Sequence, residues 1–260
     1  MCTLSVLRLS NSLVITMNRD EARLRHEAGL KQQQKNGVER LYPIDGQAGG
    51  TWFGVNNHGV VLALLNRYQD PQSSTAPTRG NIIPQALAYG NVKLVKKHLS
   101  EQSYQYYNPF DLVLMSGREC LHLSWNGRHL STHNVCQAAL LLSSSALNTE
   151  AVLAKRQRHF QQWLAQLPEL SAAEVLQKIH LQHNPDSQGD SVLMDRSDAH
   201  SKSICQVLLD ANYCEFNYYS EASLQQWRSH ISDGKHPQLK KQQRLLTLQS
   251  PTLSNELPAL

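Results

Sequence analysis

Cys2, directly behind the initiator methionine, is the residue whose type and place most clearly invite chemistry. Loss of Met1 would leave it with both a thiol and a free α-amine. An α-amine titrates near ~7.7 to 8, well below a lysine, so part of it is unprotonated at neutral pH and can take the proton of the adjacent thiol. Nucleophile and base would then share one residue. Downstream lies the polar run Asn18-Arg19-Asp20-Glu21. Arg19 is a cation able to lower the thiol's pKa, and Asp20 a carboxylate able to accept from the amine and hold it. Asn66 ends an apolar run and offers an uncharged amide that can donate to the oxyanion of a tetrahedral intermediate. Together these types describe acyl transfer with no metal or cofactor required. The competing reading makes Cys2 a small buried hydrophobe and the polar groups ordinary turn residues.

The elements that must position these groups follow from pattern. Residues 3–9 and 13–17 read as two strands joined by the turn Ser10-Asn11-Ser12, a hairpin that brings Cys2 beside residues 18–20. If the second strand runs on, Arg19 and Asp20 point to opposite faces. The polar stretch 26–40 reads as helix surface or loop. Residues 49–60 read as strand and turn, with 60–65 as the return strand that delivers Asn66. One helix is expected over 82–99, capped by Thr78-Arg79-Gly80-Asn81. Strands follow over 111–116, 119–125, 128–134 and 138–143, with Asn126-Gly127 as a hairpin turn. Helices are expected over 149–164 and 171–181, the second opened by a Ser171/Glu174 capping box. A loop over 182–200 and a last hairpin, 203–209 with 213–219, precede a polar segment expected to pack loosely beyond residue 232. Hairpins, a helix, more hairpins and two helices indicate an α+β fold of antiparallel sheets with helices outside.

Composition narrows the function classes. The net charge of +4 comes from 25 Lys and Arg scattered against 21 Asp and Glu, without an aromatic-rich basic stripe, which argues against a nucleic-acid partner. The 5 cysteines form no CxxC pair or framework spacing, which points to a reducing, cytoplasmic setting. No run of 18 or so apolar residues and no signal-peptide pattern is present, so no transmembrane segment is expected. His122, His129, His133 and Cys136 could ligate a metal or haem, but their spacing gives no closed zinc pattern. Cys2 and His26 could also serve as axial haem ligands.

Cys2, Asn18-Arg19-Asp20-Glu21, Arg25, Gly50-Thr51-Trp52-x-Gly54, Asn66 and Arg79-Gly80, as a linked set, resemble the NRDE family, whose eukaryotic members are called transport and Golgi organisation protein two. The resemblance covers residues 1 to roughly 220. It implies a four-layer αββα N-terminal-nucleophile hydrolase-like sandwich over residues 1–230, with 231–260 as a polar C-terminal extension. The wider superfamily includes the penicillin V acylases and bile salt hydrolases, which cleave linear amide bonds. By that likeness Cys2, Arg19, Asp20 and Asn66 would be catalytic, and Asn18, Glu21, Arg25, Trp52, Ser144 and Lys202 would bind substrate or support the site. Two positions depart from the acylases: the second site asparagine falls in Ser143-Ser144-Ser145 and the late arginine on Lys202. Serine has a shorter reach, and lysine cannot form a bidentate fork. The implied substrate is a small acyl or amide molecule. The alternatives are a haem-binding or trafficking role, or a non-catalytic factor using the same fold.

Overall fold

The computed structural model describes residues 2–9, 12–117, 119–135, 138–165, 171–232 and 238–249. Strands β1 (Cys2–Arg8) and β2 (Leu13–Ala22) form the expected hairpin, with Cys2 opposite Arg19. Four further strands complete their sheet: β10 (Ala139–Ser144), β11 (Ala199–Leu209), β12 (Tyr213–Tyr219) and β13 (Gln242–Thr247), in the order β10-β1-β2-β11-β12-β13. The second sheet runs in sequence order through β3 (Glu27–Lys35), β4 (Val38–Asp45), β5 (Phe53–Asn56), β6 (Val61–Asn66), β7 (Phe110–Ser116), β8 (Glu119–Trp125) and β9 (Leu130–Asn134). Every pairing within both sheets is antiparallel.

Period-two alternation divides the side chains among the layers. Leu4, Val6, Ile15 and Met17 meet Phe53, Val61, Ala63 and Val113 in a core between the sheets. Their neighbours Leu7 and Val14 face outward onto Phe160 and Trp163 of α3 (Thr149–Leu164) and Val175 and Ile179 of the following helix. Beyond the other sheet, Leu62, Leu112 and Leu114 pack on Ile83 and Leu87 of α1 (Ile82–Leu87) and Val95 and Leu99 of α2 (Val92–Glu101). The result is the four-layer αββα sandwich.

Several local expectations change. The polar stretch 26–40 is not helix or free loop: it supplies β3 and the start of β4, turned by Asn36 and Gly37, both at positive φ (53° and 76°). That Asn-Gly pair is a tight hairpin signal set among residues too polar to advertise strands. The helix expected over 82–99 is two, because Gly90 at φ 73° breaks it and Asn91 caps α2 by accepting from Leu94 N–H. Ser171 opens α4 (Ala172–Glu174) with the expected capping box, but the chain widens into π-helical turns over Val175–His180, turning His180 into the interior. Helix α5 (Glu221–Ser232) was not anticipated; its Leu224 is buried beside Ile204 and Tyr219. Residues 242–247, read as part of a loosely packed tail, pair with β12 as β13 and bury Leu246.

One close approach fixes the loops over the end of the sandwich. Thr51 N–H donates to Gly80 O at 2.9 Å, and a Cβ added to Gly50 would stand 2.6 Å from Gly80 Cα. Gly50→Ala is therefore expected to lower stability by about 1–3 kcal/mol, since backbone rather than a movable side chain must give way. The midpoint of urea unfolding should fall with the m-value unchanged; an unaltered midpoint would show that the two loops do not need this contact.

Candidate active site

A cavity of about 490 Å³ opens at the end of the sandwich where β1, β2 and β6 terminate, lined by Cys2, Arg19, Asp20, Glu21, Arg25, Trp52, Asn66 and Arg79, among others. Cys2 is 9% exposed. Its backbone nitrogen, the atom that removal of Met1 would turn into an α-amine, donates to Ser144 Oγ at 2.9 Å across the β1–β10 pairing. Ser144, assigned a supporting place by resemblance, thus holds the nitrogen of the nucleophile candidate.

Because β2 continues as a strand to Ala22, Arg19 and Asp20 do face opposite ways. Arg19 shares the inter-sheet face with Cys2 and is 3% exposed. Its Nη1 donates to Glu27 at 3.0 Å, its Nη2 to Asp45 at 2.7 Å and to Glu21 at 3.5 Å, and its guanidinium lies 4.3 Å from the Trp52 ring centroid. Glu27 in turn accepts from Ser203 Oγ and Tyr218 Oη. Arg25 donates to Asp45 at 2.7 Å and to Glu21 at 3.5 Å. Burial pushes the Glu27 carboxyl up despite Arg19. Asp45 goes the other way: burial raises it, but bonds from Arg25 and Ala48 N–H and the two guanidinium charges outweigh burial and hold it low.

Asp20 faces the helical layer, where its Oδ1 accepts from Ser201 Oγ at 2.6 Å. Asn18 on the same face is fully buried and does not line the cavity: Nδ2 donates to His180 O and Val192 O, and Oδ1 meets His180 Nδ1. His180 Nε2 reaches Ser5 Oγ at 2.6 Å, and burial drops its pKa to about 3, so it stays neutral. Asn18 is therefore a brace between β2 and the 180–192 segment. Asn66 reaches the cavity from the end of β6, one of its amide hydrogens given to Tyr68 Oη at 3.0 Å and the second left for another acceptor.

Lys202 is not brought to the site. A bulge between Ser201 and Ser203 turns it away, and its Nζ donates to Arg23 O and Glu221 Oε1 at 2.6 and 2.9 Å with the side chain 1% exposed. The bulge's neighbours matter instead: Ser201 braces Asp20 and Ser203 braces Glu27. Nor do the haem- or metal-capable residues converge. His26 is exposed; His122 bonds Asp111 at 2.7 Å; His129 and His133 are exposed on the far sheet; Cys136 lies outside the described residues. Among the described residues no group of three or more His, Cys, Asp or Glu could hold a metal ion. Sequence reasoning missed Glu27 and Asp45. The signal available was an acidic residue on each strand at the open end of a hairpin, visible only once 26–40 is read as strands.

Burial pushes the Cys2 thiol above its ordinary value, and the Asp20 charge acts in the same direction; the positive charge of the chain's amino terminus, the Asp20 N–H and Arg19 pull down without overcoming them. Arg19 acts in the expected direction, but its charge is already answered by Glu27, Asp45 and Glu21 and its pull is too weak to offset burial. Cys2 rests as a thiol.

A cysteine at the start of the first strand of an antiparallel αββα sandwich, opening into an end cavity, defines an N-terminal-nucleophile hydrolase-like fold. The chain belongs to the family described as Transport and Golgi organisation 2, whose family model matches residues 1–223. Among solved structures it is similar to a Caenorhabditis elegans N-acylethanolamine-hydrolyzing acid amidase ortholog, at 13% identity over 79% of this chain and 92% of that one, with a TM-score of 0.56. It is also similar to two variants of conjugated bile acid hydrolase from Clostridium perfringens. The cysteine-to-alanine mutant matches at 14% identity, covering 84% and 89% of the two chains, TM-score 0.46. The arginine-to-leucine variant matches at 11%, covering 97% and 100%, TM-score 0.49. No curated protein is significantly similar in sequence. No helix among the described residues is long and apolar enough to cross a membrane.

The thiol's upward shift sets a pH dependence. In protein retaining Met1, alkylation of Cys2 by iodoacetamide, followed by peptide mass mapping, should climb about tenfold per pH unit and still be rising at pH ~9, since only the thiolate reacts. A plateau reached below pH ~8 would show that the neighbouring positive charges outweigh burial.

Proposed function

We propose that this chain is a cysteine N-terminal-nucleophile hydrolase that cleaves a linear amide or related acyl bond in a small molecule through an acyl-enzyme at Cys2. One observation carries the reading: Cys2 lines a cavity while its own backbone nitrogen is held by Ser144 Oγ, so the thiol and its prospective base are fixed together at the cavity wall. A thiol that rests protonated cannot attack unaided, and a free α-amine on the same residue supplies the missing base. The amide-hydrolysing neighbour contributes analogy of fold, and the chemistry is argued from the residues.

The reaction runs in two halves. The neutral α-amine takes the thiol proton, and the thiolate adds to the substrate carbonyl carbon, forming the C–S bond. The negative oxygen is met by the free amide hydrogen of Asn66 and a backbone N–H. The ammonium returns its proton to the leaving nitrogen as the C–N bond breaks, giving an amine and a thioester. Water, deprotonated by the amine, then adds to the thioester; the C–S bond breaks, the acid departs and the thiol is reprotonated. Arg19, answered by its carboxylates, fixes the inter-sheet face beside Cys2 and is a positioning residue. Asp20, held by Ser201, orients the start of the site from behind. We assign the activity to the cytoplasm, because Cys2, Cys120, Cys205 and Cys214 are free thiols, which a reducing compartment preserves.

The test compares the wild type with Cys2→Ala and Asn66→Ala on a panel of N-acyl amides and thioesters. Cys2→Ala should abolish turnover, and Asn66→Ala should lower kcat by roughly 100- to 1000-fold with KM little changed. Turnover surviving in Cys2→Ala would refute the assignment of the nucleophile.

A further inference from the structure

The three arginines of the cavity are not equivalent. Arg19 is answered by Glu27, Asp45 and Glu21, and Arg25 by Asp45 and Glu21. Arg79 has no carboxylate within ion-pair distance among the described residues. Its one hydrogen bond there is from Nη1 to Pro109 O at 2.8 Å. Glu21 pulls on it only from farther off, and Glu21 is already shared by the other two. The cavity lining also includes the neutral residues Ser74, Ala76, Thr78 and Asn108, and the cation Arg25 acts on Arg79 from within the same cavity. Position is enforced as well: the contact of Gly50 with Gly80 pins the backbone next to Arg79 against the cavity rim.

A half-buried guanidinium has five N–H donors in a planar fork, and one of them is used here. Leaving the rest to water in a partly closed cavity forfeits interaction energy that an anion would recover. Of the carboxylates that line the cavity, Glu21 and Asp45 are engaged by Arg19 and Arg25, and Asp20 accepts from Ser201 Oγ. A cationic substrate would meet the Arg79 charge unfavourably.

We propose that Arg79 is the specificity-determining residue of the cavity and that its ligand carries a compact anion, a carboxylate or a phosphate-like group, placed to pair with the Arg79 guanidinium while the scissile carbonyl faces Cys2. This rests on the reading of the Cys2 cavity as a substrate site. The fork suits bidentate capture of either anion, so the shared chemistry is an anionic acyl compound.

Binding is measured by calorimetry on the full-length Cys2→Ala protein, which holds ligand without turnover. The probes are N-hexanoylglycine, N-hexanoyl-aminomethylphosphonate, adipic acid monoamide and neutral N-hexanoylpropylamine. At least one anionic probe should bind roughly 10- to 100-fold more tightly than the neutral one, the range a charge-assisted pair supplies. The first two probes separate carboxylate from phosphate-like recognition, and the third tells whether the anion lies on the acyl side. Adding Arg79→Gln, which can still donate to Pro109 O, should erase the preference; Arg79→Lys should keep part of it. Equal affinities with Arg79 present, a preference that survives Arg79→Gln, or no binding of any anionic probe at millimolar concentration would overturn the proposal. The same compounds given to wild type keep the two readings apart: preference without turnover sinks the hydrolase, and turnover without preference sinks only the role of Arg79.

Discussion

A guanidinium removed from water must be answered by carboxylates, and the burial of Arg19 imposes that requirement on the whole end of the sandwich. Arg19 projects from β2 of one sheet, while Glu27 and Asp45 come from β3 and β4 of the other. The ion pairs therefore clamp the two sheets together beside Cys2. Glu27 is itself secured by Ser203 and Tyr218 from the first sheet, so neither sheet can shift there without leaving a buried charge uncompensated. Removing one partner of such a network typically costs about 3–5 kcal/mol.

Burial sets the electrostatics of the thiol, and the clamp limits what opposes it. A free arginine beside Cys2 would favour the thiolate; an arginine whose charge is met by three carboxylates does so only weakly, and burial prevails. The site is thus organised around a neutral thiol and a nitrogen held by Ser144. In the proposed mechanism the base is the α-amine of the same residue, freed by loss of Met1. The same distribution of charges leaves Arg79 as the cavity's cation with donors to spare.

Much of this was legible from residue order alone. The first hairpin, the linked Asn18-Arg19-Asp20-Glu21 motif at its end and the Asn66 strand end all lie where strand pattern and turn residues put them. What stayed hidden depends on partners distant in sequence. Glu27 sits in a stretch of glutamines and lysines whose strand character comes from pairing with β4, and polar residues at a sheet edge give no local signal. Lys202 was misplaced by a bulge, a one-residue irregularity that reverses which neighbours face the site. Asn18 looked like part of the reactive group, yet alternation turns it to the helical layer, where the π-helical turn that carries His180 gives it a structural partner.

Whether Cys2 acts as the first residue of the mature chain is decided by mass analysis of the protein during turnover of an acyl thioester. The expected species is a chain that begins at Cys2, with one acyl group carried transiently on the N-terminal peptide. A turnover-competent protein that retains Met1, or an acyl group trapped on any other residue, would contradict it.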